Sequence, residues 1–544
     1  MSATTSKRGA DLAAEALAEA GVRTVFSLSG NQIMPIYDAL LETEIRLVHV
    51  RHEAAAVFMA EAHAQVTGGV GVALLTAGPG FANGLSAMYS ARTSETPVLI
   101  LTGDAPLSQA GRGAFQEMAQ TQAAGPMTKA SLMAGTAEGV FDDVAGAIAL
   151  ATSGRPGPVH LAIPFDVVNA AVDGSGRNGA AAPSAPAAAS DEQCAGLLDA
   201  LSEAERPLIL TGPILCRAQA AADMQSLREA TGLPVITMES PRGLRDPRLG
   251  AAAEVLREAD LILALGKPFD FLVGFGNAPA ISEACGFLQV DADADVLDRD
   301  KAAHGMRMRL SLHAEPRATA QALTALAAAR TPANGQWRQD VEAAVAYRPP
   351  EWDTVGSGNG ALHPVQLARG VGQVLDHAPE AVLIIDGGEI GQWCQACLDR
   401  PGRIINGPSG AIGGSIPYAI GAKAERPDAP VIAMMGDGTA GFHFMEFETA
   451  LRADLPFVAV VGNDARWNAE HQIQLHDYGP NRTHACELSP ARYDRVAVGL
   501  GCHGENVTSE DELVPALERA IASGKPACVN VAIEGLAAPA VTRS

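Results

Sequence analysis

The sequence lacks any run approaching the roughly 18 to 20 consecutive apolar residues that a membrane-spanning helix needs, although 47% of its 544 residues are hydrophobic. A membrane-spanning role is not expected. It also lacks a basic excess: the formal charge is −23 and Lys and Arg are scattered without forming a stripe, which disfavours contact with a phosphate backbone and makes nucleic acid an unexpected partner. The N-terminus lacks the apolar core of a signal peptide, since residues 1–10 carry Lys7 and Arg8 and residues 11–21 are mixed and amphipathic, so the cytoplasm is the expected location. Cysteine is sparse. Of eight Cys only Cys394 and Cys397 lie close together, and a zinc site would want a second pair. Their segment, 391–399, reads as a helix after a strand, which favours buried apolar thiols over a metal or redox site.

What is present is a repeated alternation. The chain is too long for one core and should divide into roughly three or four units. Short β-branched apolar runs separated by helical stretches mark parallel sheets covered on both faces. The runs fall at 24–28, 46–50, 70–75, 97–101 and 159–163, then at 207–210, 234–237, 261–265 and 287–290, then at 381–385, 403–405, 431–435, 457–461 and 527–533. The expected fold class is therefore α/β, with three domains at 1–170, 191–330 and 361–544. Residues 171–190, dominated by Ala, Gly, Pro and Ser, read as one linker. Residues 331–360, whose part 347–360 is polar with Pro and Gly, read as the other.

One segment carries the chemistry. Gly436-Asp437-Gly438 follows the run 431–435, so it sits at a strand's carboxyl end, where open α/β sheets place ligands. Glycine there lets backbone approach a phosphate, and Asp437 offers a hard oxygen to Mg²⁺. A helix at about 444–453 leads to the next strand, whose end delivers Asn463 and Asp464, with 24 residues between Gly438 and Asn463. Alone, Gly-Asp-Gly is also an ordinary turn.

With that pair at that spacing, the segment resembles the signature of thiamine-diphosphate-dependent enzymes, whose second element is usually Asn-Asn. Asp464 departs from that pattern and should tighten the metal. The resemblance covers nearly the whole chain, in the order pyrimidine-binding, middle Rossmann-like and diphosphate-binding domain shared by acetolactate synthases, benzaldehyde lyase, 2-hydroxyacyl-CoA lyases and pyruvate decarboxylase. It implies thiamine diphosphate and Mg²⁺, with Asp437, Asp464 and the main chain at Arg466 as metal ligands. Glu53, in Val50-Arg51-His52-Glu53-Ala54, matches the glutamate that hydrogen-bonds the aminopyrimidine and promotes proton removal from the thiazolium. The alternatives are a helix-start carboxylate or a zinc-protease motif, and the latter fails because Ala56 stands where His is required. Thr76, Pro79 and Asn83 match the loop packed on the pyrimidine. Gly410, Ala411 and Ile412 match the segment whose apolar residue wedges under the cofactor, with Ile412 as wedge or as ordinary core. Gly388, Glu389, Gly438, Thr439, Trp467 and Asn468 fall in the other cofactor-binding segments. Because one subunit's first domain and another's last domain share the cofactor in this family, a homodimer is the expected minimum and a homotetramer is common.

Four positions bear on substrate. Gln32 stands where benzaldehyde lyase has a histidine. Gln116, in Phe115-Gln116-Glu117, fits an element typical of acetolactate synthases. Trp467 and Glu470 follow Asp464, and Glu470 falls where pyruvate decarboxylases carry a catalytic glutamate and is expected to hold a raised pKa. For Gln32, Trp467 and Glu470 the alternative is a polar or packing residue at a helix start. The absence of a His-His pair near Gln116 disfavours a simple pyruvate decarboxylase. The stretch 265–276 lacks the paired aspartates and arginines of an FAD-binding acetolactate synthase, which leaves FAD or ADP in the middle domain doubtful, and Lys267 reads as a solvated loop lysine. The short stretch beyond the last strand weakens a CoA-dependent reading. The expected activity is acetolactate-synthase-like: decarboxylation of a pyruvate-like 2-oxo acid and ligation of its acyl group to a second small carbonyl compound. The alternatives are a 2-hydroxyacyl-CoA lyase or oxalyl-CoA-type decarboxylase, and a catalytically silent regulatory homologue.

Overall fold

Residues rich in Val, Ile and Leu with no polar face are stable as strands only when both faces of their sheet are covered, and this requirement organises the molecule. The computed structural model describes residues 7–172, 185–329, 335–356, 360–401 and 403–543. A short antiparallel pair, β1 (Lys7–Arg8) and β8 (Ala171–Val172), joins the two ends of the first domain. Between them lie β2 (Thr24–Ser27), β3 (Arg46–His49), β4 (Gly71–Leu75), β5 (Val98–Asp104), β6 (Ala130–Met133) and β7 (Val159–Pro164), which form a parallel sheet of order β3-β2-β4-β5-β7-β6. The middle domain holds β9 (Pro207–Thr211), β10 (Val235–Thr237), β11 (Leu261–Leu265), β12 (Gly286–Asp291) and β13 (Met308–His313), in the order β10-β9-β11-β12-β13. The last domain holds β14 (Val382–Ile385), β15 (Ile404–Ile405), β16 (Val431–Gly436), β17 (Val458–Asn463), β18 (His503–Val507) and β19 (Ala527–Ala532), in the order β15-β14-β16-β17-β19-β18. The first and last domains thus share one strand topology.

All three sheets contain a strand that the apolar pattern does not reveal, and each is an edge strand: β6, β13 and β18. An edge strand has one neighbour and stays partly wet, so it need not be continuously apolar. Leu132 and Met133 of β6 are 39% and 44% exposed, and four of the five residues of β18 are only half-buried. The second linker also needs correction. Residues 335–346 form a helix whose Val341 and Ala344 are buried in the middle domain's core beside Ile262 and Leu208, so that core extends past residue 330. Of the expected linker 171–190, residues 173–184 lie outside the described residues.

The first and last domains share a core. Helix α1 (Glu53–Thr67), with α2 (Pro79–Thr93) beside it, packs on the later helix Ser415–Glu425. Gly421 makes the approach close, because a Cβ there would sit 2.2 Å from the Met59 carbonyl oxygen. Tyr418 crosses the boundary, donating to Glu61 at 2.9 Å and lying 3.0 Å from Ser90 Oγ. Burial pushes the Glu61 carboxyl up to about 7. Glu446, which accepts the Arg51 N–H at 3.0 Å, is likewise pushed up to about 7 by burial. The middle domain is tied to the first by Arg155, paired with Glu95 and Asp291.

Candidate active site

Where β14, β16 and β17 end, the chain opens a cavity of about 300 Å³. It lies at the carboxyl edge of the sheet, beside the point where strand order reverses, as ligand sites of open parallel sheets do. β16 and β17 are in register at Gly436 and Gly462, so the residues that follow bring Asp437 and Asp464 out together. Asp437 begins a helix, Asp437–His443, and is 2% exposed. The expected helix at 444–453 is therefore the second of two, Glu446–Arg452.

Asp437 Oδ2 is buried without a hydrogen-bond partner. Burial pushes Asp437 up to about 6, and burial together with the Asp437 charge pushes Asp464 up to about 7. Two neighbouring acidic groups at one cavity, both raised by burial and Asp464 also by the charge of Asp437, fit a divalent cation, which would favour their charged forms. Among the described residues no third His, Cys, Asp or Glu completes a cluster with them, so a cation here needs oxygens from the main chain or a ligand, as a bound diphosphate supplies. Asn463 does not face the cavity. Its amide donates to Ala491 O at 2.9 Å and Asn530 Oδ1 at 3.0 Å, and its oxygen accepts the Ala465 N–H at 3.1 Å. Ala465 takes a left-handed φ of +56°, and Arg466 follows it into the cavity wall with Trp467 and Asn468. Trp467 packs on Gly438, where a Cβ would meet the indole at 2.7 Å, and Thr439 donates to Gly436 O at 3.0 Å.

The facing wall is the segment 410–415, and Asp386 fastens it. Asp386, 1% exposed, accepts the N–H groups of Gly387 at 2.7 Å, Gly413 at 3.0 Å and Ser415 at 3.2 Å. Burial raises its pKa against those bonds. Gly413 has φ +83° and a Cβ there would meet Phe442 at 2.5 Å, so glycine is required. Held this way, Gly410 and Ile412 line the cavity, with Ala411 half-buried between them. Gly388 and Glu389 line the cavity from the start of the helix Gly388–Cys397. Glu389 accepts the Ala538 N–H at 2.8 Å, and burial raises its pKa. Glu470 stands exposed at the same cavity, where Glu389 is half-buried.

A second group gathers in the first domain around the loop 76–80. Glu53 opens α1 behind His52, whose Nδ1 accepts the Ala54 N–H at 3.1 Å. Glu53 is 7% exposed and accepts the Asn83 amide at 2.9 Å. Thr76 Oγ1 donates to Gln32 Oε1 at 3.0 Å. Pro79 opens α2, and Gln116, with a left-handed φ of +60°, lies against Gly78, where a Cβ would be 2.8 Å from the Gln116 carbonyl oxygen. Among the described residues, none from the first domain lines the last-domain cavity.

The middle domain gives a different picture. Lys267 is not solvated: it is 1% exposed and donates to Asp270 at 2.6 Å. At the carboxyl edge of its sheet, Gly212 and Gly266 are in contact, a Cβ on Gly212 falling 2.2 Å from Gly266 O, and Arg155 reaches in to Asp291. The space left there, lined by Arg155, Gly266 and Asp291, is about 10 Å³. Cys394 and Cys397 are free thiols, with Cys394 buried and Cys397 pushed up to about 11 by burial. Sequence reasoning missed Asp386, Asn406 and Arg242. The last two line the cavity, and an isolated Asn or Arg in a loop carries no periodic or motif signal.

Comparison with known proteins gives three domain matches, described as thiamine pyrophosphate enzyme N-terminal, central and C-terminal domains, over residues 7–124, 194–323 and 386–531. The chain is 35% identical to an acetolactate synthase large subunit of Mycobacterium tuberculosis, over 96% of this chain and 94% of the relative. It is 29% identical to human 2-hydroxyacyl-CoA lyase 2, over 97% of this chain and 90% of the relative. An acetolactate synthase large subunit of Corynebacterium glutamicum is 29% identical over 94% of this chain and 84% of the relative.

Proposed function

The chain belongs to the thiamine pyrophosphate enzyme family, and from that premise we propose that it joins two 2-oxo acids in an acetolactate-synthase-like reaction. Thiamine diphosphate, when bound, lets a 2-oxo acid lose CO₂ and pass its acyl carbon to another carbonyl. The balance is two 2-oxo acid anions and one proton in, one CO₂ and one 2-hydroxy-3-oxo acid anion out. The observation that carries the reading is that Asp437, buried, and Asp464, half-buried, line one cavity with Ile412. Asp437 and Asp464 would hold Mg²⁺, Ile412 would bend the cofactor, and Glu53 would bind its pyrimidine. Support for a synthase over its relatives comes from Gln116 in its Phe-Gln-Glu context and from the similarity to the mycobacterial acetolactate synthase.

We further propose that the site is completed by a second copy. The first-domain group and the cavity are separate within one chain, and Phe442, Met445, Phe115 and Tyr89 are apolar side chains left 45% to 72% exposed. The similarity to 2-hydroxyacyl-CoA lyase 2 favours a second reading, cleavage of a 2-hydroxyacyl-CoA. Product analysis separates the two. The protein is incubated with thiamine diphosphate, Mg²⁺ and pyruvate while CO₂ and acetolactate are followed, with a 2-hydroxyacyl-CoA in a parallel reaction. Acetolactate is the expected product. Inert pyruvate with acyl-CoA cleavage would assign the lyase reaction instead.

A further inference from the structure

A second cavity, of about 220 Å³, lies where the three domains meet. Val382 and Ile404, the first residues of β14 and β15, line it, so it opens at the amino edge of the last sheet, the end opposite Asp437. Among the described residues the two cavities have no wall residue in common. In a chain of net charge −23, four arginines gather around this space: Arg217 from the middle domain, and Arg400, Arg403 and Arg426 from the last.

Two of the four are partly committed to acids. Arg403, whose side chain is 7% exposed, pairs with Glu239, Nε donating at 3.0 Å, and with Asp399 at 3.4 Å. Arg400 pairs with Asp376, whose side chain is 73% exposed, and so wet a pair contributes little. The other two have no acidic partner. Arg217 donates through Nη2 to neutral acceptors of the first domain: Ser94 O at 2.8 Å, Glu95 O at 2.7 Å and Thr96 Oγ1 at 3.0 Å. Its Nε and Nη1 make no bond among the described residues. Burial pushes the Arg217 pKa down, although Glu95 and Glu61 favour its charge. Arg426 is exposed, and its guanidinium has no hydrogen bond or ion pair among the described residues. Glu380 is the acid in the wall and is exposed. It forms an ion pair with none of the four.

The other walls do not repel an anion. Ala218 opens the helix Ala218–Thr231 at the cavity, so the N–H end of that helix is there. At the carbonyl end of α1, Gln219 Nε2 donates to Gln65 O and Val66 O, both at 2.9 Å. Guanidiniums gathered around one space repel each other unless an anion lies between them.

We propose that this junction cavity binds a dianionic phosphoryl group, either the free ion or the end of a small phosphorylated metabolite, and that binding fastens the three domains together. A monocarboxylate offers two oxygens, which one guanidinium fork takes up. A phosphoryl group carries close to two charges at pH 7 and three acceptor oxygens, so Arg217, Arg400 and Arg426 can share it. The cavity is smaller than the roughly 300 Å³ of a site that encloses a whole small molecule, which suits such a group. Bound there, the anion would link Arg217, already fixed to the first domain, to the arginines of the last.

The test uses the full-length protein saturated with thiamine diphosphate and Mg²⁺, which keeps the cofactor's own diphosphate site filled. Calorimetry at constant ionic strength compares inorganic phosphate, ADP and acetate. Wild type should bind phosphate saturably, with a rise in melting temperature, and should not bind acetate. The double variant Arg400→Gln, Arg426→Gln should weaken phosphate binding about tenfold or more, with its turnover and its melting temperature in chloride unchanged. Glu380→Gln should tighten phosphate binding, because it removes the one carboxylate in the wall, a response that a purely structural arginine cluster would not give. ADP separates the two sources: tighter binding than phosphate, lost in the double variant, assigns a nucleotide, and equal or weaker binding assigns the free ion. The site is overturned by any of four results: no saturable phosphate binding to wild type, acetate binding as tightly as phosphate, phosphate binding unchanged in the double variant, or looser binding in Glu380→Gln.

Discussion

At the scale of single residues, the site depends on carboxyl groups placed where water cannot screen them. Glu53 accepts the Asn83 amide through Oε2 and, among the described residues, pairs with no cation, which leaves Oε1 available to a ring nitrogen. Glu53→Gln is expected to lower kcat by several orders of magnitude with thiamine diphosphate affinity nearly unchanged, as measured by turnover and by fluorescence titration. Asp464 lies close enough to Asp437 to feel its charge. Asp464→Asn should weaken Mg²⁺ binding about tenfold while raising the melting temperature of the metal-free protein, because one buried charge is removed from the pair. The placement of Asp437 and Asp464 was legible in the sequence because spacing after a strand signals it, whereas Glu53 was singled out only by the family resemblance of its segment. Arg242 and Asn406 were not legible, since their meaning comes only from facing the same cavity across two domains.

At the scale of elements, the interior strands were readable and the edges were not. β16, apolar and buried from Val431 to Met435, announces itself, whereas β18, with the sequence His-Gly-Glu-Asn-Val, reads as a loop because only its pairing with β19 makes it a strand. Likewise the helix 335–346 has a mean composition that suits a linker, and two buried residues fix it to the middle core. Lys267 misled for a related reason: a lysine in a Gly-Pro loop is normally wet, and here tertiary packing buries it against Asp270. The segment 410–415 is held by one side chain from another element, Asp386. Asp386→Ala should lower stability by about 1–3 kcal/mol, since buried N–H groups lose their acceptor, and weaken thiamine diphosphate binding through the freed Ile412. Asp386→Asn, which keeps an acceptor oxygen, should recover much of both, as read by thermal melts and cofactor titration.

At the scale of the whole molecule, two buried carboxyls at the boundary between the first and last domains set a pH dependence. Glu61 and Glu446 rise from 4.5 to about 7 on folding because burial penalises their charged forms. The folded state therefore binds more protons than the unfolded state between about pH 4.5 and 7, and stability falls as pH rises through that window. Each group contributes a loss on the order of 3 kcal/mol. Melting temperature measured across pH 4.5 to 8 in the metal-free protein should decline and then level, and Glu61→Gln should flatten part of the slope. The cavity wall that contains no first-domain residue has a further consequence, which genetics can read. If Glu53 serves the neighbouring chain, a chain carrying Glu53→Gln still offers a sound cavity, and a chain carrying Asp437→Ala still offers a sound Glu53. Two inactive alleles co-expressed in one cell should then complement each other, each mixed pair regaining one working site, while either allele alone stays dead.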